Sequence, residues 1–238
     1  MGKLVIIATP IGNLDDLTYR AARVLGEVDA LACEDTRMTR KIYERYNIAS
    51  PRTIFSYHEH NEDQAGKRIM GLLESGLSVG LCTDSGLPGI SDPGYRIVAD
   101  ALAAGHELEV LPGASAATTA LIASGLPSAS FTFKGFPPRK SGPRQRFLEP
   151  EAALPHTLVF FESPHRVHKF LVDAVIVLGD RQAAVCIELT KKFEEVHRGY
   201  LRDLVGEFED VKVRGEVTVV IAGNHPKFIR AEAPEMDT

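Results

Sequence analysis

Three short stretches of this sequence combine glycine or proline with small hydroxyls and carboxylates. They are Thr9-Pro10-Ile11-Gly12-Asn13, the run from Thr83-Asp84-Ser85-Gly86 to Ser91-Asp92-Pro93-Gly94, and Leu111-Pro112-Gly113-Ala114-Ser115-Ala116. Each follows a short apolar run. A phosphate-binding loop needs free backbone N–H groups at a helix start, yet Pro10, Pro88, Pro93 and Pro112 each remove one such donor. Neither the dinucleotide fingerprint G-x-G-x-x-G nor the P-loop pattern is present. Such loops suit a ligand without a phosphate chain, one that needs close backbone approach, stiff walls and a few carbonyl or carboxylate partners. A nucleoside carrying a positive sulfonium has that chemistry. Backbone carbonyls and Asp84 or Asp92 would oppose the charge, and apolar neighbours would hold the adenine. Plainer roles compete: Asp84, Asp92 and Asn13 as helix caps, Gly12 and Gly113 as turn formers.

The elements that must carry these loops alternate. Strand patterns run over 4–8, 30–33, 53–56, 79–82 and 108–111. Helical spacing runs over 17–28, 37–46, 61–74, 94–104 and 116–124. Short continuous apolar strands between amphipathic helices predict a parallel sheet covered on both faces, and ligands gather at the carboxyl ends of such strands. A boundary is expected at Gly125-Leu126-Pro127, giving domains 1–125 and 126–224. Strand patterns then run over 130–134, 157–161, 183–188, 195–200 and 217–222, with helices over 143–151, 165–178 and 201–209. The last three strands have fewer helices between them, which predicts a mixed, largely antiparallel sheet. The polar stretch 225–238, with Pro226 and Pro234, reads as a frayed tail.

Composition narrows the class. The chain has 238 residues, 25% of them charged and 44% hydrophobic, the balance of an ordinary globular protein. No apolar run approaches the roughly 20 residues that span a bilayer, and no secretory signal pattern opens the chain. Cys33, Cys82 and Cys186 have neither metal nor disulfide spacing and read as buried thiols in a reducing cytoplasm; no metal site is expected. The net charge of −5 argues against a wholly basic nucleic-acid glove. Charge is nonetheless local. Residues 134–146, KGFPPRKSGPRQR, hold Lys134, Arg139, Lys140, Arg144 and Arg146 and no acid, and Arg37, Arg40, Lys41 and Arg45 make a second basic set.

Six stretches, ATPIGNLDDLT (8–18), CEDTR (33–37), TDSGLPGISDPGY (83–95), LPGASA (111–116), FESPHR (161–166) and ELTKKFEE (188–195), together resemble the tetrapyrrole methylase superfamily of S-adenosylmethionine enzymes. Within it they resemble the branch that methylates the 2′-hydroxyl of a cytidine in 16S rRNA. The resemblance covers most of the chain. It departs where that branch usually reads D-A-G-T-P and this chain has Asp84-Ser85-Gly86-Leu87-Pro88, and where Phe193 replaces a frequent histidine. Many members also extend several tens of residues further at the C-terminus, a segment expected to add RNA affinity. The resemblance implies two α/β domains of the tetrapyrrole methylase type with the cofactor in the cleft between them, a homodimer, and a cytoplasmic role on 16S rRNA or the 30S subunit. It places Pro10, Ile11, Gly12, Thr83, Asp84, Gly86, Asp92, Pro112, Gly113, Ser115, Ala116, Phe161 and Glu162 around S-adenosylmethionine.

Methyl transfer to a ribose hydroxyl is an in-line displacement that gains from a proton acceptor. Candidates are Glu188, Glu195, Glu162, His165 and Asp35, with the ELTKKFEE carboxylates preferred. Strand alternation would put Glu188 and Thr190 on one face and Lys191 on the other, with Lys191 or Lys192 at the target phosphate. Plainer readings are a solvated face for this segment and a Glu162–Arg166 ion pair four residues apart. Arg37, Arg139, Lys140, Arg144 and Arg146 are the expected RNA contacts. Two other readings stand beside this one: a methyltransferase of a small tetrapyrrole, which EDTR, the basic segment and ELTKKFEE disfavour, and a non-catalytic cofactor-binding ribosome assembly factor.

Overall fold

The computed structural model describes residues 1–231. Its contacts divide the chain into two compact units, Met1–Ser115 and Ala116–Thr238, the last seven residues of the second lying outside the description.

The first unit is an α/β layer. Strands β1 (Lys3–Ile7), β2 (Ala30–Cys33), β3 (Thr53–Ser56), β4 (Ser78–Cys82) and β5 (Glu107–Leu111) form one parallel sheet in the order β3-β2-β4-β1-β5. Helices α1 (Tyr19–Glu27), α2 (Thr36–Tyr46), α3 (Glu62–Glu74) and α4 (Tyr95–Ala103) connect them. Alternation along β1 explains the double cover. Leu4 and Ile6 join the core of α3 and α4, while Val5 and Ile7 join the core of α1 and α2. Local chemistry starts the helices: Thr18 accepts the Ala21 N–H to cap α1, and Asp35 accepts the Arg37 N–H to cap α2. Neighbouring β1 and β4 send their connections to opposite sides of the sheet, β1 to β2 and β4 to β5. Their carboxyl ends therefore form a topological switch point, where open α/β sheets bind ligands.

The second unit is a mixed sheet. Strands β6 (Phe131–Phe133), β7 (Thr157–Glu162), β8 (Gln182–Ile187), β9 (Glu195–Tyr200) and β10 (Val217–Ile221) take the order β6-β7-β10-β8-β9, and every pairing except β6–β7 is antiparallel. Helix α5 (Ala116–Ser124) covers one face through Ala117, Ala120 and Leu121. Helices α6 (Ser141–Leu148), α7 (Val167–Leu178) and α8 (Leu201–Glu207) cover the other. Because α5 packs Ala117, Ala120 and Leu121 on this sheet, the compact units part at Ser115–Ala116, ahead of the Gly125–Pro127 turn that the sequence suggested. The expected frayed tail is partly tied down. Arg181 and Ile229 form a β-bridge, and Arg230 reaches Asp180 at 3.2 Å and also pairs with Asp203. Residues 232–238 of that expectation lie outside the described residues.

Candidate active site

In the first unit the three loops leave the strand ends at the switch point and are fastened by backbone. Thr9 N–H donates to the Gly86 carbonyl at 2.8 Å and Gly86 N–H returns the bond at 3.2 Å. The Thr9 hydroxyl donates to the Thr83 carbonyl at 2.9 Å, and Ala8 N–H donates to the Leu111 carbonyl at 3.4 Å. Glycine is required at two points. Gly86 has φ +81°, the left-handed region, and a Cβ on Gly113 would stand 2.7 Å from the Ala8 Cβ. Thr83, Pro10 and Ile11 are buried, while Gly12, Pro112 and Gly113 are exposed. Asp84 crosses to the β2 loop: its Oδ1 accepts the Asp35 N–H at 3.1 Å, and its own N–H donates to Glu34 Oε2 at 3.1 Å. Burial pushes its carboxyl above the ordinary value, and the Glu34 and Asp35 charges add to that shift.

The plainer roles weighed for these loops divide. Asn13 caps the 3₁₀ turn Leu14–Asp16 by accepting the Asp15 N–H. The cap position of α4 is Gly94, which has no side-chain cap. The carbonyls, the prolines and Asp84 form a donor-poor, acceptor-rich set at the sheet end, with a close glycine cradle. That set fits a cationic nucleoside and disfavours a phosphate chain.

In the second unit the sheet register brings two motifs together. Glu162, Val217, Ile187 and Glu195 lie abreast in one row across β7, β10, β8 and β9, so FESPHR and ELTKKFEE meet at one sheet end. Glu162 is buried. Its Oε1 takes the Arg166 guanidinium at 2.6 Å and the Ser163 N–H at 2.6 Å, while Oε2 has no partner among the described residues. Burial pushes this carboxyl up despite Arg166. The Glu162–Arg166 pair read from the sequence is thus present. Phe161, expected at the cofactor, stacks edge-on with Phe133 at 4.8 Å.

Two sequence expectations are corrected here. Glu188 and Thr190 do not continue β8 on one face, because the strand ends at Ile187 and both residues take positive φ, +52° and +66°. The chain turns, which lets Lys191 Nζ reach Glu188 Oε1 at 2.7 Å and Glu216 Oε2 at 3.1 Å. Burial pushes the Glu188 carboxyl up, but Lys191 and the Glu216 N–H outweigh it and hold it below the ordinary value. Arg144, expected at RNA, is 2% exposed. It is locked on Asp173 at 2.5 Å and donates to the Arg139 and Lys169 carbonyls, with Ser141 and Gln145 completing the Asp173 shell. Arg37, Arg139, Lys140 and Arg146 are exposed, Arg37 paired with Asp35 at 2.6 Å. That pair draws the Asp35 carboxyl down to about 2, a poor proton acceptor.

Sequence reasoning missed two features of this sheet end. Gly215 has φ +84°, and a Cβ there would fall 2.2 Å from the Glu188 carboxyl. The only advance signal was a glycine two residues ahead of a strand. His197 bridges Glu195 (3.1 Å) and Glu207 (2.5 Å), a contact spanning β9 and α8.

Residues 3–205 match the family described as Tetrapyrrole (Corrin/Porphyrin) Methylases, and the chain belongs to that family. It is 46% identical over 226 residues, 95% of this chain and 78% of the relative, to the Ribosomal RNA small subunit methyltransferase I of Halalkalibacterium halodurans. The Thermotoga maritima protein of the same name is 42% identical over 94% of this chain and 99% of its own length. Among solved structures, diphthine synthase superposes with a TM-score of 0.70 at 15% identity, over 93% of this chain and 90% of that one. A uroporphyrin-III C-methyl transferase from Thermus thermophilus complexed with S-adenyl homocysteine gives 0.64 at 20% identity, over 93% and 97%. The fold is that of the family. Its methylase chemistry agrees with S-adenosylmethionine as methyl donor. Among the described residues, no helix is long and apolar enough to cross a membrane.

Proposed function

We propose that the protein transfers a methyl group from S-adenosylmethionine to the ribose 2′-hydroxyl of a cytidine in 16S rRNA, acting on the RNA or the 30S subunit as a cytoplasmic homodimer. The observation that carries this reading is the meeting of FESPHR and ELTKKFEE at one sheet end, in a chain 46% identical to a protein named as a ribosomal RNA methyltransferase.

S-adenosylmethionine, when bound, supplies an activated methyl group. Pro10, Ile11, Gly12, Thr83, Asp84, Gly86, Asp92, Pro112, Gly113 and Ser115 hold it through the acceptor-rich loops of the first unit. Lys191 is fixed by Glu188 and Glu216 and serves as a positioned cation for the target phosphate. With Glu188 committed to Lys191 and its basicity lowered, the proton of the hydroxyl goes to Glu195, whose exposed carboxylate is steadied by His197. Arg37, Arg139, Lys140 and Arg146 contact the RNA backbone.

The test is transfer of tritiated methyl from S-adenosylmethionine to 30S subunits that lack the modification, followed by mass mapping. Label in a cytidine 2′-O-methyl is the expected result. No label alongside calorimetric cofactor binding would favour an assembly factor or a small-molecule enzyme.

A further inference from the structure

The second unit holds a cavity of about 510 Å³ beside the proposed chemistry, within the size range of small-ligand sites. Phe193 lines it and is 71% exposed, so one ring of the lining faces solvent. Lys192 Nζ lies 5.5 Å from the centre of that ring. Glu207 also lines the cavity, and His197 occupies only its Oε1, at 2.5 Å. Lys212 and Arg214 also line it, both exposed and neither ion-paired among the described residues, and Glu188 and Glu195 of the proposed chemistry line it too, Glu188 held by Lys191 and Glu195 by His197.

Each part has a recognition chemistry. A ring presented to solvent is a platform on which an unstacked base can lie. A fixed carboxylate accepts hydrogen bonds from an exocyclic amine, as in carboxylate contacts to the cytosine N4 amino group, and repels the carbonyl that uracil presents there. Two unpaired cations hold flanking phosphates. Any one of these on a surface means little; together around one cavity they match a single ligand class.

We infer that this cavity receives the base of a single-stranded RNA nucleotide bearing an exocyclic amine, stacked on Phe193, read by Glu207 and flanked by Lys212 and Arg214. The inference rests on the reading that the protein acts on RNA, and it names the element that selects the nucleotide.

The experiment is fluorescence anisotropy of the full chain with short labelled oligo(C), oligo(A) and oligo(U) at several salt concentrations. Oligo(C) and oligo(A) should bind more tightly than oligo(U). Phe193→Ala, an exposed site that leaves folding intact, should weaken oligo(C) binding about 5- to 150-fold without changing the salt slope. Lys212→Glu with Arg214→Glu should flatten the salt slope, and Glu207→Gln should narrow the preference for C over U. Phe193→Ala binding as wild type, equal binding of U and C, or no binding to any oligonucleotide would each overturn the inference, even with methyl transfer to 30S subunits intact. The predicted binding pattern without any methyl transfer would instead strike the proposed reaction and leave the cavity assignment standing.

Discussion

The two units build their candidate functional regions from different materials. The first uses backbone: a two-way Thr9–Gly86 bridge, prolines that withhold N–H donors, and a glycine at 113 pressed on Ala8. The second uses side chains in opposed pairs: Glu162–Arg166, Glu188–Lys191 and Glu195–His197–Glu207. A site made chiefly of backbone is sensitive to volume, with Asp84 its point of charge sensitivity. A site made of ion pairs is sensitive to charge and pH. The difference matches the division of labour proposed here, a fixed ligand held by shape and a proton and a polyanion handled by charge.

The largest effect tests whether every arginine of the basic segment is free for RNA. Arg144→Ala leaves Asp173 buried without its cation and should cost about 3–5 kcal/mol in chemical denaturation, with a lowered Tm. Asp173 adds a pH signature. Burial pushes its carboxyl up, but Gln145, Ser141 and Arg144 outweigh this and hold it below its ordinary 3.8. A depressed carboxyl contributes stability at pH values above 3.8 and loses it as pH falls further. The gap between wild type and Asp173→Asn should therefore close at the acid end of a pH series.

The next effects set volume against charge. Gly113→Ala should cost roughly 1–3 kcal/mol through overpacking on Ala8 and weaken cofactor binding in calorimetry. Unchanged cofactor affinity would break the backbone side of the comparison. Gly215→Ala should cost a similar amount, roughly 1–3 kcal/mol, from its left-handed φ. Unlike Gly113→Ala it should spare cofactor affinity and slow transfer, because the new Cβ displaces the Glu188 carboxyl.

Lys191→Met should raise the Glu188 carboxyl from its depressed value, read from the pH titration of its carboxyl carbon by NMR. An unmoved titration would show that the pair does not set the electrostatics of this sheet end. Smallest in stability is reversal of Arg139, Lys140 and Arg146 to Glu. Each of these exposed substitutions should change unfolding free energy by no more than about 0.5 kcal/mol, yet together they should flatten the salt dependence of RNA binding. An unchanged slope would remove this face from the RNA interface.

The fold was legible wherever the signal was local. Strands 30–33, 53–56 and 195–200 and helix 116–124 have the bounds their patterns suggested, because the residues that set those bounds lie within a few positions of one another. The three proline and glycine loops were legible for the same reason. What escaped depends on distant partners. Arg144 looks like any loop arginine until Asp173, 29 residues on, comes to meet it. Glu188 looks like a strand residue until positive φ values turn the chain and Gly215 makes room for its carboxylate. The division at Ser115 was hidden because α5 shows no clear apolar stripe, and only its packing on β7, β8 and β10 assigns it.

The most direct test of the division of labour is the single-turnover rate of methyl transfer to unmodified 30S subunits by Glu195→Gln, with calorimetry of S-adenosylmethionine on the same protein. The account predicts unchanged cofactor affinity and a rate reduced roughly 10²–10⁴-fold, the loss expected for a missing general base. A Glu195→Gln enzyme that transfers at the wild-type rate would contradict it.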